Sequence, residues 1–475
     1  MTESSRLTRS HFVFGALGVA AYPLVRSIPS LGRESTALDR YVAAPDSAYG
    51  FRLLDTLQGD GCTGYVLEMT SQRWRRPAEV DRPVWKHWLT IVKPEVCDTN
   101  IGALVIGGGS NDERPPGRVR TLLQLLAQRT HSVVSELEMV PNQPLTFTRE
   151  RKARSEDDLI AYSWDRYLRT GDETWPLRLP MTKSVVRAMD TITEFCARGD
   201  DALVVDRFIV GGSSKRGWTT WTTAAVDPRV VGIVPVVIDT LNVAPSVEHV
   251  YRAYGCWPPA LRPYEEMGIL KWVGTRQLAA LMRIEDPYMY RSRLTMPKLI
   301  INATGDEYFA PDCSQYYYDG LPGEKYLRYV PNTDHSLRGG AADAAHSVLA
   351  FYNSIVDDTL RPDFRWSFEG DRSIRVDTVT PPSTVKLWHA VNPAARDFRL
   401  ATVGNAFTST NLRDLGGGTY VGTPATPARG WAASFLELTY LSPEGDPFRV
   451  TSGVRIIPDV LPFAPPSGGH SCHGR

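Results

Sequence analysis

The sequence predicts an α/β chain: a mostly parallel sheet flanked by helices, followed by a smaller all-β region. Three observations carry this. Apolar strand patterns alternate with helical patterns from Ile101 to Val330. One of those strands breaks into a glycine-flanked serine turn and then a helix. Beyond Asp358 the helical patterns stop and short alternating strands take over.

The elements justify themselves in order. Arg6, Arg9 and His11 precede a short apolar run, Phe12 to Ala21, and then Pro23. A basic start with an apolar run of this length describes an export signal better than a membrane span. Residues 1–36 are therefore expected to be a targeting segment. Leu7-Thr8-Arg9-Ser10-His11-Phe12 is similar to a twin-arginine signal whose second arginine is Ser10, so a degenerate twin-arginine signal is one export route. Next, Gly64 to Trp74 and Trp85 to Val92 alternate apolar and polar residues, which predicts an antiparallel leading pair. Strands are expected at Ile101–Ile106, Ser132–Leu137, Leu203–Val210 and Val230–Val237, and helices at Arg118–Gln128, Asp157–Arg169 and Met181–Arg198.

The most informative stretch runs from Ala202 to Ala225. An apolar strand ends in Gly211-Gly212-Ser213-Ser214-Lys215-Arg216-Gly217, and a helix-prone segment with Trp218 and Trp221 follows. Strand, tight turn bearing a serine, then helix is the layout of a nucleophile elbow, and Ser214 is the candidate nucleophile. The usual pattern is G-x-S-x-G; here the second glycine, Gly217, falls one place late.

An acid and a histidine follow in the order such an elbow requires. Met296 to Ala303 reads as a buried strand ending in Gly305-Asp306-Glu307, and Tyr326 to Val330 leads into Asp334-His335-Ser336. Serine, acid and histidine, each at the carboxyl end of a successive strand, is the chain order of an α/β-hydrolase triad. A serine hydroxyl is a weak nucleophile until an imidazole takes its proton, and a carboxylate fixes the tautomer of that imidazole. Asp306 is the preferred acid because it opens a turn directly after a clean apolar strand. Asp239, one strand earlier, and Glu307 are the other contenders. Gly107-Gly108-Gly109 after Ile101–Ile106 can present backbone N–H groups to a developing oxyanion. Gly108 or Gly109 would act there with the N–H of Lys215.

Between Val237 and Met296 lies an aromatic-rich insertion with Tyr251, Trp257 and Trp272. Residues 249–295 are expected to form a lid over the site within a hydrolase domain spanning 37–357. Residues 358–462 read as an immunoglobulin-like β-sandwich, and 463–475 as a Gly/Pro/Ser-rich disordered tail.

These residues carry a family resemblance. Met139-Val140-Pro141-Asn142-Gln143-Pro144-Leu145, Glu156 to Trp164, Leu179-Pro180-Met181-Thr182-Lys183, Gly212 to Trp221, Asn302 to Phe309, Asp334-His335-Ser336 and Asn392 to Arg399 resemble the PhoPQ-activated pathogenicity-related protein family, which also includes secreted proliferation-repressor proteins. The resemblance implies an exported α/β-hydrolase-like domain with an attached β domain.

Composition narrows the function classes. Lys plus Arg equals Asp plus Glu at 53 each, so no global field points to nucleic acid or to an anionic membrane. The body contains no apolar run long enough for an integral membrane span. Six widely spread cysteines without a C-x-x-C pair argue against a zinc site, and no cofactor is expected. One or two disulfides suit an exported chain, in a pairing the spacing does not assign. The reading is an exported serine hydrolase of ester or amide bonds, acting on a small-molecule or peptide substrate. The alternative is a catalytically silent secreted regulatory protein on a hydrolase fold.

Overall fold

The computed structural model describes residues 35–148, 150–199, 202–370 and 372–466. Residues 1–34 of the expected targeting segment, and 467–475 of the expected tail, lie outside the described residues. The first described element is helix α1 (Ala37–Ala43), which Thr36 and Asp39 close with a reciprocal capping box.

An antiparallel leader, β1 (Gly50–Gly59), β2 (Cys62–Arg73) and β3 (Val84–Pro94), feeds β4 (Ile101–Ile106), helix α2 (Thr121–Thr130) and β5 (Val134–Leu137). A short pair, β6 (Leu145–Thr146) and β7 (Ala153–Arg154), precedes helices α3 (Glu156–Thr170) and α4 (Arg178–Cys196). Then come β8 (Arg207–Ser213), α5 (Lys215–Val226) and β9 (Val230–Val236). The insertion follows with α6 (Val243–Tyr254), α7 (Arg262–Glu266) and α8 (Arg276–Glu285). Strands β10 (Lys298–Ala303) and β11 (Lys325–Val330) and helix α9 (Ala341–Val356) complete this part.

The strands lie side by side as β1-β2-β3-β5-β4-β8-β9-β10-β11, with β5-β4-β8-β9-β10-β11 all parallel. One leading swap, β5 before β4, and then a monotonic parallel run is the α/β-hydrolase order. Alternate residues of β8 feed different cores: Phe208 and Val210 join Leu104, Trp221 and Met189, whereas Ile209 joins Ala103, Val234 and Phe351. A strand buried on both faces needs no polar side, and this is why the parallel strands read as continuous apolar runs.

The C-terminal region comprises β12 (Phe364–Phe368), β13 (Ile374–Thr378), β14 (Thr384–Asn392), the short helix α10 (Leu400–Val403), β15 (Thr408–Asn411), β16 (Thr419–Gly422), β17 (Trp431–Leu441), β18 (Pro447–Thr451) and β19 (Arg455–Ile457). Strands β12-β13-β16 form one sheet, and Ile374 and Val376 share a core with Leu387, Leu436 and Leu438 of the facing layer. That facing layer is no separate sheet. Strand β18 pairs with β11 at Leu327–Thr451, so β18-β17-β14-β15 continues the hydrolase sheet. The Arg328 guanidinium bonds Glu437 across the same seam, with both side chains buried. The change at residue 358 is thus one of topology, within a continuous sheet. Beyond 462, the Phe463 N–H donates to the Arg252 carbonyl at 3.2 Å. Cys256 is disulfide-bonded, while Cys62, Cys97, Cys196 and Cys313 are free.

Candidate active site

The elbow forms where β8 turns into α5. Ser214 sits between them at φ 57° and ψ −127°, a region that costs a non-glycine residue on the order of 1–3 kcal/mol. It is held there from both sides. Its N–H donates to the Val236 carbonyl at 2.8 Å, and its own carbonyl accepts from Trp218 N–H at 2.9 Å. The crossing of strand and helix explains the displaced glycine. A Cβ on Gly217 would lie 2.8 Å from the Gly212 carbonyl oxygen, and one on Gly212 would lie 2.9 Å from the Arg216 backbone.

Ser214, His335 and Asp306 meet. His335 Nε2 lies 2.9 Å from Ser214 Oγ, and His335 Nδ1 lies 2.8 Å from Asp306 Oδ2. An ionised carboxylate only accepts, so Nδ1 carries the proton and Nε2 is left as acceptor for the serine hydroxyl. Asp306 is itself oriented by the Tyr308 N–H, which donates to Oδ1 at 2.8 Å. Burial works against charging His335, but the Asp306 hydrogen bond and charge outweigh it, so its pKa lies above the ordinary imidazole value.

The other acid contenders have different partners. Asp239 is buried and accepts from the hydroxyls of Tyr317 and Tyr329, the latter at 2.7 Å; burial pushes its pKa up to about 7. Glu307 accepts the backbone N–H of His335 at 2.8 Å and so positions the histidine loop.

The three oxyanion candidates are placed unequally. Lys215 opens α5, where an N–H has no intrahelical acceptor, and it lines the cavity beside Ser214. The parallel pairing of Ile106 with Gly212 brings the Gly107-Gly108-Gly109 loop out of the sheet next to the elbow. Among the described residues neither the Gly108 nor the Gly109 N–H donates a hydrogen bond. Neither glycine, however, belongs to the wall of the cavity that contains Ser214. The Arg216 guanidinium lies against Gly108, where a Cβ would come within 2.8 Å of it.

The charges flanking Ser214 are matched internally. Arg216 makes a two-pronged pair with Glu156 at 2.6 and 2.8 Å, and Lys215 Nζ lies 2.7 Å from the same carboxylate and 3.4 Å from Asp157. Burial opposes the charge on Glu156, yet Arg216 and Lys215 hold its carboxyl down at about 2. Asp157 also accepts from the Tyr264 and Tyr308 hydroxyls at 3.2 and 3.3 Å. Tyr308 in turn packs its ring 4.5 Å from that of His335. Glu156, Asp157 and Tyr308 escaped the sequence reading of the site. In the sequence Glu156 and Asp157 stand out only as part of a helix and of a family-resembling segment, although the acidic start of α3 complements Lys215-Arg216.

The insertion forms the outer wall of a cavity of about 550 Å³ that includes Ser214, Lys215, Trp218 and Tyr308. Of the three aromatic markers, Trp257 lines it, Tyr251 packs against Trp257 at 4.6 Å, and Trp272 joins the hydrophobic core. The wall starts before residue 249, since Asn242 and Val243 at the head of α6 already contribute to it. Among the described residues, no helix is long and apolar enough to cross a membrane.

The β region contributes nothing to the cavity wall but buttresses both loops of the site. Leu400 N–H donates to the Gly305 carbonyl, next to Asp306, at 2.9 Å. Asn332 and Phe407 exchange two hydrogen bonds of 2.9 Å beside the histidine loop.

The chain is similar to known proteins. The family model described as "PhoPQ-activated pathogenicity-related protein" matches residues 38–399. The autocrine proliferation repressor protein A of Dictyostelium discoideum is 37% identical over 466 residues, covering 92% of this chain and 94% of that protein. Solved structures similar to this chain include an acetyl xylan esterase from Paenibacillus sp. R4, at 15% identity and a TM-score of 0.48 over 67% of this chain and 92% of that one. The Pyrococcus horikoshii acylaminoacyl peptidase matches at 13% identity and a TM-score of 0.39, over 65% and 50%. The chain belongs to the PhoPQ-activated pathogenicity-related protein family.

Proposed function

We propose that this protein is an exported serine hydrolase that cleaves an ester or amide bond of a small-molecule or peptide substrate through an acyl-enzyme. The observation that carries the reading is the Ser214–His335–Asp306 relay, with contacts of 2.9 and 2.8 Å, opening into a cavity of substrate size. Ser214 Oγ attacks the carbonyl carbon while His335 Nε2 takes its proton. The imidazolium then returns that proton to the leaving oxygen or nitrogen. Water, activated by the same nitrogen, attacks the acyl-serine and releases the acid. Asp306 stabilises the imidazolium without becoming protonated. The Lys215 N–H, at the head of α5 and in the cavity wall beside Ser214, holds the oxyanion. The basic and apolar N-terminal pattern before Pro23 supports export.

Hydrolysis of activated aryl esters by wild-type protein and by Ser214→Ala tests this. The substitution is expected to lower kcat by several orders of magnitude, on the order of 10⁶ where a serine hydrolase is fully developed. Equal turnover by the two proteins would rule the reading out.

A further inference from the structure

We infer that the acyl group this site accepts is neutral, apolar and longer than acetyl, bound between Trp164 and Trp218 of the hydrolase body and the inward faces of α6 and α8. The inference rests on the hydrolase reading above and adds the chemistry of the substrate.

The cavity's size and its wall point the same way. About 550 Å³ is far more than an acetyl group fills, and it falls within the usual range for small-molecule sites. Leu278, Met282 and Val247 of the insertion line it together with Trp164, Trp218 and Ser214.

Charged groups also reach this wall, and their state decides the class of ligand. Lys215 and Asp157 answer each other and Glu156, with the Tyr264 and Tyr308 hydroxyls completing Asp157. Arg178, fully buried, bonds Glu285 at 3.3 Å and the Lys215 carbonyl at 2.8 Å, and its guanidinium lies 4.6 Å from the Trp218 ring centre. Asp286 accepts three backbone N–H groups, from Asn242, Val243 and Tyr288. These charges are therefore spent inside the protein, while Glu248, paired with Arg252 at 3.5 Å, and the exposed Arg283 stand at the outer part of the wall. A carboxylate or ammonium on the acyl chain beside the buried pairs would lose its water and gain no matched partner from them, whereas a hydrocarbon chain loses nothing polar. Lys215 and Arg216 thus give no reason to expect an anionic substrate, despite standing next to the nucleophile.

The test pairs turnover with binding. A series of p-nitrophenyl esters from acetyl to dodecanoyl is compared with the succinyl ester and an aminoacyl ester. kcat/KM is expected to rise roughly threefold to fourfold per added methylene until the cavity is full, and the charged acyl groups should fall at least tenfold below neutral ones of equal length. Met282→Trp, which adds bulk to the cavity lining, should cut the octanoyl-to-acetyl ratio at least tenfold. Independently, ethyl octanoate added to Ser214→Ala protein should perturb the fluorescence of the lining tryptophans. A labelled, active Ser214 with a flat or inverted chain-length profile and no fluorescence change overturns this inference and leaves the hydrolase reading intact. Ethyl octanoate binding to a folded protein that hydrolyses no ester ends the hydrolase reading and supports the apolar ligand class.

Discussion

Arg396 pairs with Asp312 at 2.7 Å in an almost fully buried contact, joining the C-terminal region to the loop that carries Asp306. His249 of α6 reaches the same carboxylate at 2.9 Å, and the Tyr316 hydroxyl bonds the other nitrogen of that ring. Burial works against ionising Asp312, but His249 and Arg396 hold its pKa well below the usual carboxylate range. One buried carboxylate therefore ties together the acid loop, the cavity wall and the β region.

Removing one partner of such a pair leaves a buried charge unanswered, at a cost of about 3–5 kcal/mol. Arg396→Ala is expected to lose this much in urea unfolding monitored by tryptophan fluorescence. The Asp306 loop should loosen with it, so kcat should fall in the protein that remains folded. A change below about 1 kcal/mol would mean that the pair behaves like a surface contact.

The elbow gives a second prediction. A methyl group on Gly217 must displace the Gly212 carbonyl or Val236, since the approaches are 2.8 and 3.1 Å. Overpacking of this kind costs about 1–3 kcal/mol, and the shift passes directly to Ser214. Gly217→Ala is expected to stay folded at low temperature while kcat drops by at least tenfold, about 1.4 kcal/mol. Unchanged kcat would show that the crossing tolerates a Cβ.

The third prediction concerns pH. In the proposed reaction the neutral imidazole accepts the serine proton, and the His335 pKa is raised above the ordinary value of 6.5. Activity is therefore present above that raised pKa and lost as pH falls through it. kcat/KM against pH should show an acid limb above 6.5. Asp306→Asn should move the limb downward, because the raising carboxylate is gone, and should lower kcat by about 10⁴. A limb that stays in place in Asp306→Asn would assign it to another group.

Much of this was legible in the sequence because the parallel strands are buried on both faces. Ile101–Ile106 and Val230–Val236 stand out as apolar runs for that reason, and the elbow between Val210 and Trp218 as a sharp change of pattern. Edge strands lack that signal. β1 is largely exposed and mixes Arg52, Asp55 and Gln58 with its apolar residues, and all four residues of β15 are exposed, so neither shows a hydrophobic period. The apolar run from Ala202 misled in the opposite direction. Val204 is 68% exposed, and pairing with β4 starts only at Arg207, opposite Ile101. The site's supports were invisible for a different reason. Arg396 and Asp312 are separated by 84 positions and Asn332 and Phe407 by 75, and no local pattern encodes such pairs.

The central claim is that Ser214 is a nucleophile activated by His335. Treating native protein with a fluorophosphonate and mapping the adduct by peptide mass spectrometry tests it most directly. The account predicts one stoichiometric adduct, on Ser214, formed at least 10³-fold more slowly in His335→Gln. Folded wild-type protein that carries no adduct on Ser214, or that labels equally fast in His335→Gln, would contradict it.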